Sequence, residues 1–130
     1  MVVGAAERDP PRYIASIELQ SAAEFLQALR RAETLLVEGS VLLDSSNPVE
    51  FIMHGPEVHS LLRQNYADNR EMVDLAARLS ALGVIQIRAC ERWMGGHSID
   101  PDDLHAFVGT VPWGAAEVSR LLEQERYVSF

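Results

Sequence analysis

The chain has 130 residues, of which 48% are hydrophobic and 23% are charged, a length and composition that fit one globular domain. The formal net charge is -8 and lysine is absent, which excludes a Schiff-base lysine and a P-loop lysine. The acidic balance also argues against binding to nucleic acid, and no apolar run is long enough to span a membrane.

The N-terminal residues 1–12 are expected to be a flexible lead, and residues 13–130 a single domain. The first eleven residues carry Glu7, Arg8 and Asp9 and do not have the continuous apolar stretch of a signal peptide. Cys90 is the single cysteine, so no intramolecular disulfide can form. A lone cysteine suits the reducing cytoplasm, and we expect a cytoplasmic protein.

The first half of the chain alternates between strand and helix patterns. Residues 13–19 read as a strand, and Ser21 and Glu24 form a capping box at the start of a helix that ends at Gly39. Residues 41–43 are ambiguous and are compatible with a short edge strand. A strand is predicted over 49–54, followed by a short helix that Pro56 begins and that runs to Leu62.

The second half continues this alternation. The spacing predicts a helix over 69–82 that Gly83 ends, and then a strand over 84–90. Turn and glycine signals occupy residues 91–96. Asp100 and Pro101 mark a helix start, residues 109–111 form a short strand, and Pro112 begins the last helix, with Val118, Leu121 and Leu122 predicted to be buried. Residues 127–130 are a closing strand. This order predicts an α/β fold with a parallel sheet and helices on both faces.

The candidate site lies where the predicted strands end. In a parallel sheet the carboxyl ends share one edge, so Cys90, His54 and the segment around Trp113 and Gly114 should converge there. Helix amino ends at this edge would favour anions and a thiolate. Cys90 is either a small packed residue or a reactive thiol, and His54 either a strand-end residue bonded to backbone or a functional one.

Other polar and aromatic residues are less informative. Trp93, Met94 and Trp113 fall in predicted loops and are interpreted as loop packing, a pocket wall or a subunit interface. Glu57 and Glu91 are expected to be solvated. The remaining histidines are expected on the surface or in loops, namely His59, His97 and His105. The spacing of His54 and His59 does not match a zinc site, so no metal is expected.

Several short motifs in a fixed order resemble the DsrE/DsrF-like (YchN-like) family of small sulfur-relay proteins. A strand ends in His54-Gly55-Pro56, and residues 79–84 form a Leu-x-x-Leu-Gly-Val turn into a strand that ends in Ala89-Cys90-Glu91. Val111-Pro112-Trp113-Gly114 and a closing aromatic strand follow. The resemblance covers roughly residues 13–130.

The resemblance implies a three-layer α/β/α sandwich with a five-stranded, mainly parallel sheet, and a homo-oligomer that is a trimer or a hexamer. It also implies that Cys90 carries sulfane sulfur as a persulfide and passes it to a partner thiol, with donor and acceptor proteins as partners. His54 would assist by hydrogen bonding or proton transfer. The candidate ligand-binding residues are Gly55, Glu91, Trp93, Pro112, Trp113 and Gly114.

The alternative is a non-catalytic oligomeric binding module whose strand-end crevice holds a small anion or metabolite. In that interpretation Cys90 is only packed beside the crevice. Neither interpretation calls for a cofactor, a membrane or a nucleic acid.

Overall fold

A computed structural model describes residues 12–17, 22–38, 48–123 and 127–129. The strands in chain order are β1 (Arg12–Ile17), β2 (Val49–Met53), β3 (Ile85–Cys90), β4 (Val108–Val111) and β5 (Tyr127–Ser129). The α-helices are α1 (Ala22–Val37), α2 (Arg70–Ala81), α3 (Glu91–Gly96) and α4 (Gly114–Leu122). Short 3-10 helices cover Pro56–Leu61, Arg63–Asn69 and Pro101–Asp103.

The strands pair in parallel, in the order β4-β3-β2-β1-β5. The register places Met53 of β2 opposite Ala89 of β3, and Cys90 opposite Val111 of β4. The α/β class and the parallel sheet predicted from the sequence are therefore confirmed. Because neighbouring strands run in the same direction, β2, β3 and β4 all end at one edge of the sheet.

Alternate residues of β2 enter two different clusters, as the two-residue period of a strand requires. Val49, Phe51 and Met53 are fully buried in the main core together with Phe25 and Leu29 of α1. The main core also includes the buried side of α2, which consists of Met72, Val73, Leu75, Ala76 and Leu79. One face of the sheet is thus covered by α1 and α2.

The opposite face has a smaller apolar cluster and a polar network. Ile52 packs there with Val111 and with Leu121 of α4, and Val118 packs against them. On the same side, Arg88 of β3 contacts Glu50 at 3.2 Å and Glu117 of α4 at 3.0 Å.

The charge of Arg88 can be largely buried between the sheet and α4, because the carboxylates of Glu50 and Glu117 both pair with it.

Local signals explain where several elements end. Gly83 has φ 75°, a left-handed conformation that glycine adopts without strain, and it follows α2 as predicted. The carboxylate of Asp100 accepts a hydrogen bond from the Asp102 amide at 2.9 Å, so the predicted cap is present. It begins only the three-residue 3-10 helix Pro101–Asp103. The helix expected after Pro56 is likewise a 3-10 helix.

Some predictions are wrong. The stretch 91–96 was predicted as a turn but forms α3, because Cys90 caps it and Met94 anchors it in the core at 1% exposure. The last helix begins at Gly114 rather than Pro112. Leu122 is 43% exposed, because the neighbouring residue Leu121 is the one that packs against Ile52 and Val111.

Two polar residues are also more buried than expected. Glu57 is 4% exposed and neither carboxylate oxygen has a hydrogen-bond partner among the described residues, whereas Glu91 is exposed as predicted. His105 is half-buried, and its Nε2 atom is buried with no hydrogen-bond partner in the described part of the chain.

Other predictions lie outside the described residues: the Ser21 cap, the edge strand over 41–43 and Phe130. Among the helices that the structure describes, none is long and apolar enough to cross a membrane.

Candidate functional site

Cys90 is the last residue of β3 and the cap of α3. Its sulfur accepts two backbone hydrogen bonds, from the Trp93 amide at 3.4 Å and from the Gly114 amide at 3.1 Å. The first comes from α3, which β3 leads into directly, and the second from the start of α4. The residue is 3% exposed. Strand and helix ends therefore fix the position of the sulfur from two directions.

His54 lies beside Cys90 at the same edge of the sheet. Met53 and Ala89 are the last pair between β2 and β3, so the residues that follow them, His54 and Cys90, lie at the same level of the sheet edge. The two residues line one cavity of about 180 Å³. The complete lining is His54, Cys90, Arg92, Trp93, Trp113 and Ala115. Cys90 and His54 are thus brought to the same cavity at the edge of the sheet.

Gly114 brings α4 against the two strands. A methyl group added at this residue would lie 2.9 Å from Cβ of His54 and 3.2 Å from Cβ of Cys90, with Cγ2 of Ile52 also at 3.2 Å. Contacts this short leave no room for a side chain. The missing side chain lets the first amide of α4 reach the sulfur.

Arg92 and Trp113 form a pair at one side of the cavity. The guanidinium carbon lies 4.4 Å from the centre of the Trp113 ring, within the range of a cation–π contact. The Arg92 amide also donates to the Pro112 carbonyl at 3.2 Å. This backbone bond ties the start of α3 to the segment that leads into α4.

Trp93 forms another wall and is itself held by two histidines. The His97 ring stacks on it at a centroid distance of 3.9 Å and an angle of 17°, and the His59 ring meets it edge-on at 5.5 Å. His97 also contacts the Trp93 carbonyl through Nδ1 at 2.8 Å. Both histidines are exposed, as predicted, and they restrict the orientation of the indole.

The structure separates the candidate ligand-binding residues into two groups. Trp93 and Trp113 line the cavity, and Gly114 bonds the sulfur. Gly55, Glu91 and Pro112 are near in sequence but do not form part of the lining.

The sequence interpretation missed Arg92 and Ala115. Arg92 was hidden because residues 91–96 were read as a turn, whereas the helical pattern of α3 places the second residue after Cys90 at the cavity.

The groups with shifted pKa values lie away from the cavity. Burial lowers the pKa of His105, and the nearby charge of Arg63 lowers it further. A hydrogen bond to Asp74 raises the pKa of Tyr66, at a distance of 2.8 Å. On α4 a hydrogen bond from Arg120 lowers the pKa of Glu117. Within the described ranges, no group of three or more His, Cys, Asp or Glu side chains could hold a metal ion.

Comparison with known proteins shows a shared fold with a solved structure but does not indicate an activity. No protein-family model matches the chain, and no curated protein matches it significantly. A solved structure of the protein of unknown function MTH1491 from Methanobacterium thermoautotrophicum is similar, with a TM-score of 0.71 and 20% sequence identity. The match covers 92% of this chain and 99% of that one. At this identity the likeness extends to the fold alone.

Proposed function

We propose that the protein carries sulfane sulfur as a persulfide on Cys90 and passes it to a partner thiol. The observation that supports this most is the environment of the sulfur: it lines a cavity with His54 and accepts amide hydrogen bonds from two helix starts. Amide dipoles directed at a sulfur favour its negative form, and the thiolate is the form that exchanges sulfur.

The cavity supplies what sulfur transfer requires. The Cys90 thiolate attacks the sulfane sulfur of a donor, a new sulfur–sulfur bond forms, and the donor's leaving group departs with the electron pair of the broken bond. In the second step, a partner thiolate attacks the outer sulfur of the persulfide and Cys90 leaves as thiolate. In this scheme His54, which lines the same cavity, exchanges a proton with the entering or leaving group.

Mass spectrometry of the intact protein tests the proposal. Wild-type protein incubated with inorganic polysulfide and desalted should gain the mass of one sulfur atom, and should lose it when a thiol acceptor is added. Cys90→Ser is the matched control, because serine keeps the size but cannot carry sulfane sulfur. A wild-type mass that does not change would reject the carrier function.

One observation favours the alternative, an oligomeric binding module in which Cys90 is only packed: the residue is 3% exposed. Labelling of the native protein with iodoacetamide separates the two functions. The carrier requires labelling of Cys90 in the folded protein, whereas the binding module predicts labelling only after denaturation.

We further propose a homo-oligomer, as the family resemblance suggests, either a trimer or a hexamer. Trp113, just before α4, is 49% exposed and Leu122 in α4 is 43% exposed, and these exposed apolar side chains support this, whereas Met94 is buried in the core. Light scattering that gives the single-chain mass of 14.4 kDa at micromolar concentration would reject an oligomer.

We also propose a three-layer α/β/α architecture and a cytoplasmic location. The apolar clusters on both faces of β2 and the order of the strand pairs support a three-layer sandwich around a five-stranded sheet. The lone cysteine supports a cytoplasmic location.

A further inference from the structure

The cavity at Cys90 has a positive charge in its lining and, among the residues that the structure describes, no ion-pair partner for that charge. Arg92 lines it, and within the part of the chain that the structure describes no carboxylate lies within ion-pair distance of its guanidinium. No acidic side chain is part of the lining. In a chain with a net charge of -8, this is a local reversal of sign.

A cation–π contact also orients the exposed side chain of Arg92. Its backbone amide is bonded to the Pro112 carbonyl at 3.2 Å, and its charged end rests on the Trp113 ring at 4.4 Å. A planar guanidinium that is already oriented loses less conformational entropy when it binds an oxyanion, which it meets with two parallel N–H donors.

The size of the cavity limits the ligand. A volume of about 180 Å³ lies below the range of roughly 300–1,000 Å³ that is typical of sites for drug-sized molecules. The occupant therefore has few heavy atoms.

We infer that the cavity is a selective site for small anions, and that the sulfur donor is a small sulfur oxyanion of the thiosulfate class that Arg92 binds by its oxygen atoms. The identity of the donor rests on the proposed carrier function; the anion site does not. The thiolate of Cys90 attacks the outer sulfur of thiosulfate, the Sγ–S bond forms, the S–S bond to the sulfonyl group breaks, and sulfite leaves with the electron pair. Atoms and charge balance without an oxidant or reductant.

Arg92 has the role of neutralising the ligand. Two anions, the thiolate and the oxyanion, must approach each other, and a fixed cation beside the sulfur reduces their repulsion. Trp113 is a positioning residue, because it holds the guanidinium and does not contact the reacting sulfur in this scheme.

Alkylation tests the anion site without any sulfur chemistry. Iodoacetate and iodoacetamide have nearly the same size and differ in charge, so the ratio of their second-order rates at Cys90, divided by the ratio for free cysteine in the same buffer, reports the charge of the cavity. We expect this quotient to favour iodoacetate by roughly tenfold in wild-type protein, as one nearby charge partly screened by solvent would give.

The variants are Arg92→Gln and, as a control for net charge, Arg78→Gln. Arg78 is exposed on α2, where it pairs with Glu33, and it does not line the cavity. Arg92→Gln should lose most of the preference, and Arg78→Gln should keep it. A quotient near one in wild-type protein, or equal losses in both variants, would overturn the anion site.

Sulfur uptake then tests the donor. Wild-type protein should gain one sulfur atom from thiosulfate, and Arg92→Gln should gain it at least about tenfold more slowly, whereas Arg78→Gln should match the wild type. Uptake from polysulfide alone would overturn the donor assignment and leave the carrier function in place. An anion preference with no uptake from either donor would retain the anion site and overturn the carrier function.

Discussion

Replacing Gly114 with alanine tests whether the close approach of α4 to the strand ends defines the site. The added methyl group would lie 2.9 Å from Cβ of His54 and 3.2 Å from Cβ of Cys90, and both of these neighbours are fixed close to the backbone. Neither can rotate away, so α4 must move outward. Overpacking of this kind costs about 1–3 kcal/mol, and three simultaneous short contacts place the cost in the upper half of that range.

The alanine also brings a gain. Alanine is favoured over glycine in a helix interior by up to ~1 kcal/mol, and this gain is smaller in the first turn. We therefore expect a net loss of about 1–2 kcal/mol in the free energy of unfolding. With a urea dependence of about 1–3 kcal/mol per molar, the midpoint should fall by roughly 0.3–2 M. The outward shift should also lengthen the 3.1 Å contact from the Gly114 amide to the sulfur and change the rate of iodoacetamide labelling.

Gly95→Ala is the matched control, because a methyl group there would meet nothing within 4 Å and the residue is exposed. This variant should unfold at the same or a slightly higher urea concentration, because the helix propensity of alanine raises the free energy of unfolding by up to ~1 kcal/mol. The reasoning is refuted if Gly114→Ala is as stable as the wild type and is labelled at the same rate. A loss of equal size at Gly95 would show that helix propensity, and not the contact with the strand ends, decides the effect.

The remaining predictions concern charges outside the cavity. Glu57→Leu should raise the free energy of unfolding by about 1–3 kcal/mol, because it removes two buried oxygens that lack partners, while Glu91→Leu at an exposed site should change it by less than about 0.5 kcal/mol; urea unfolding of both at pH 7 decides this. Arg88→Met removes the cation that two largely buried carboxylates share and should cost about 3 kcal/mol in the same assay, and an unchanged midpoint would contradict it. The lowered pKa of His105 means that the unfolded chain binds more protons, so stability is retained above the ordinary pKa of 6.5 and lost as the pH falls below it; His105→Phe should flatten the pH dependence there, and an unchanged slope would refute this.

The topology can be predicted from the sequence because it depends on patterns among residues that are close along the chain. The apolar runs of β2 and β3, the helical spacing of α2 and the glycine after it specify a strand–helix–strand unit. The position of His54 relative to Cys90 follows from the same reasoning, since parallel strands of this unit end at one edge.

The cavity itself was not predictable, because its walls come from segments whose conformation tertiary contacts decide. Two glycines in residues 91–96 indicate a turn, but the buried side chain of Met94 and the cap at Cys90 make the segment helical. Only that helix places Arg92 beside Trp113. The burial of Glu57 likewise depends on how a 3-10 helix packs, which no local pattern in the sequence indicates.

The burial of Cys90 and the transfer of sulfur to a partner are compatible once the geometry of a persulfide is considered. At 3% exposure the Sγ atom is poorly accessible to a thiol on another protein, and two amides bond it beside the cavity that Cys90 lines. A sulfur–sulfur bond is about 2.05 Å long, so a persulfide would place its outer sulfur that far from Sγ, and we propose that it enters the cavity. The atom that a partner attacks would then be the more accessible one, while the leaving thiolate stays beside its amide donors. The burial of Cys90 would thus exclude large donors and shield the inner sulfur from a partner thiol. The outer sulfur would remain open to attack, so a buried Cys90 is compatible with sulfur transfer.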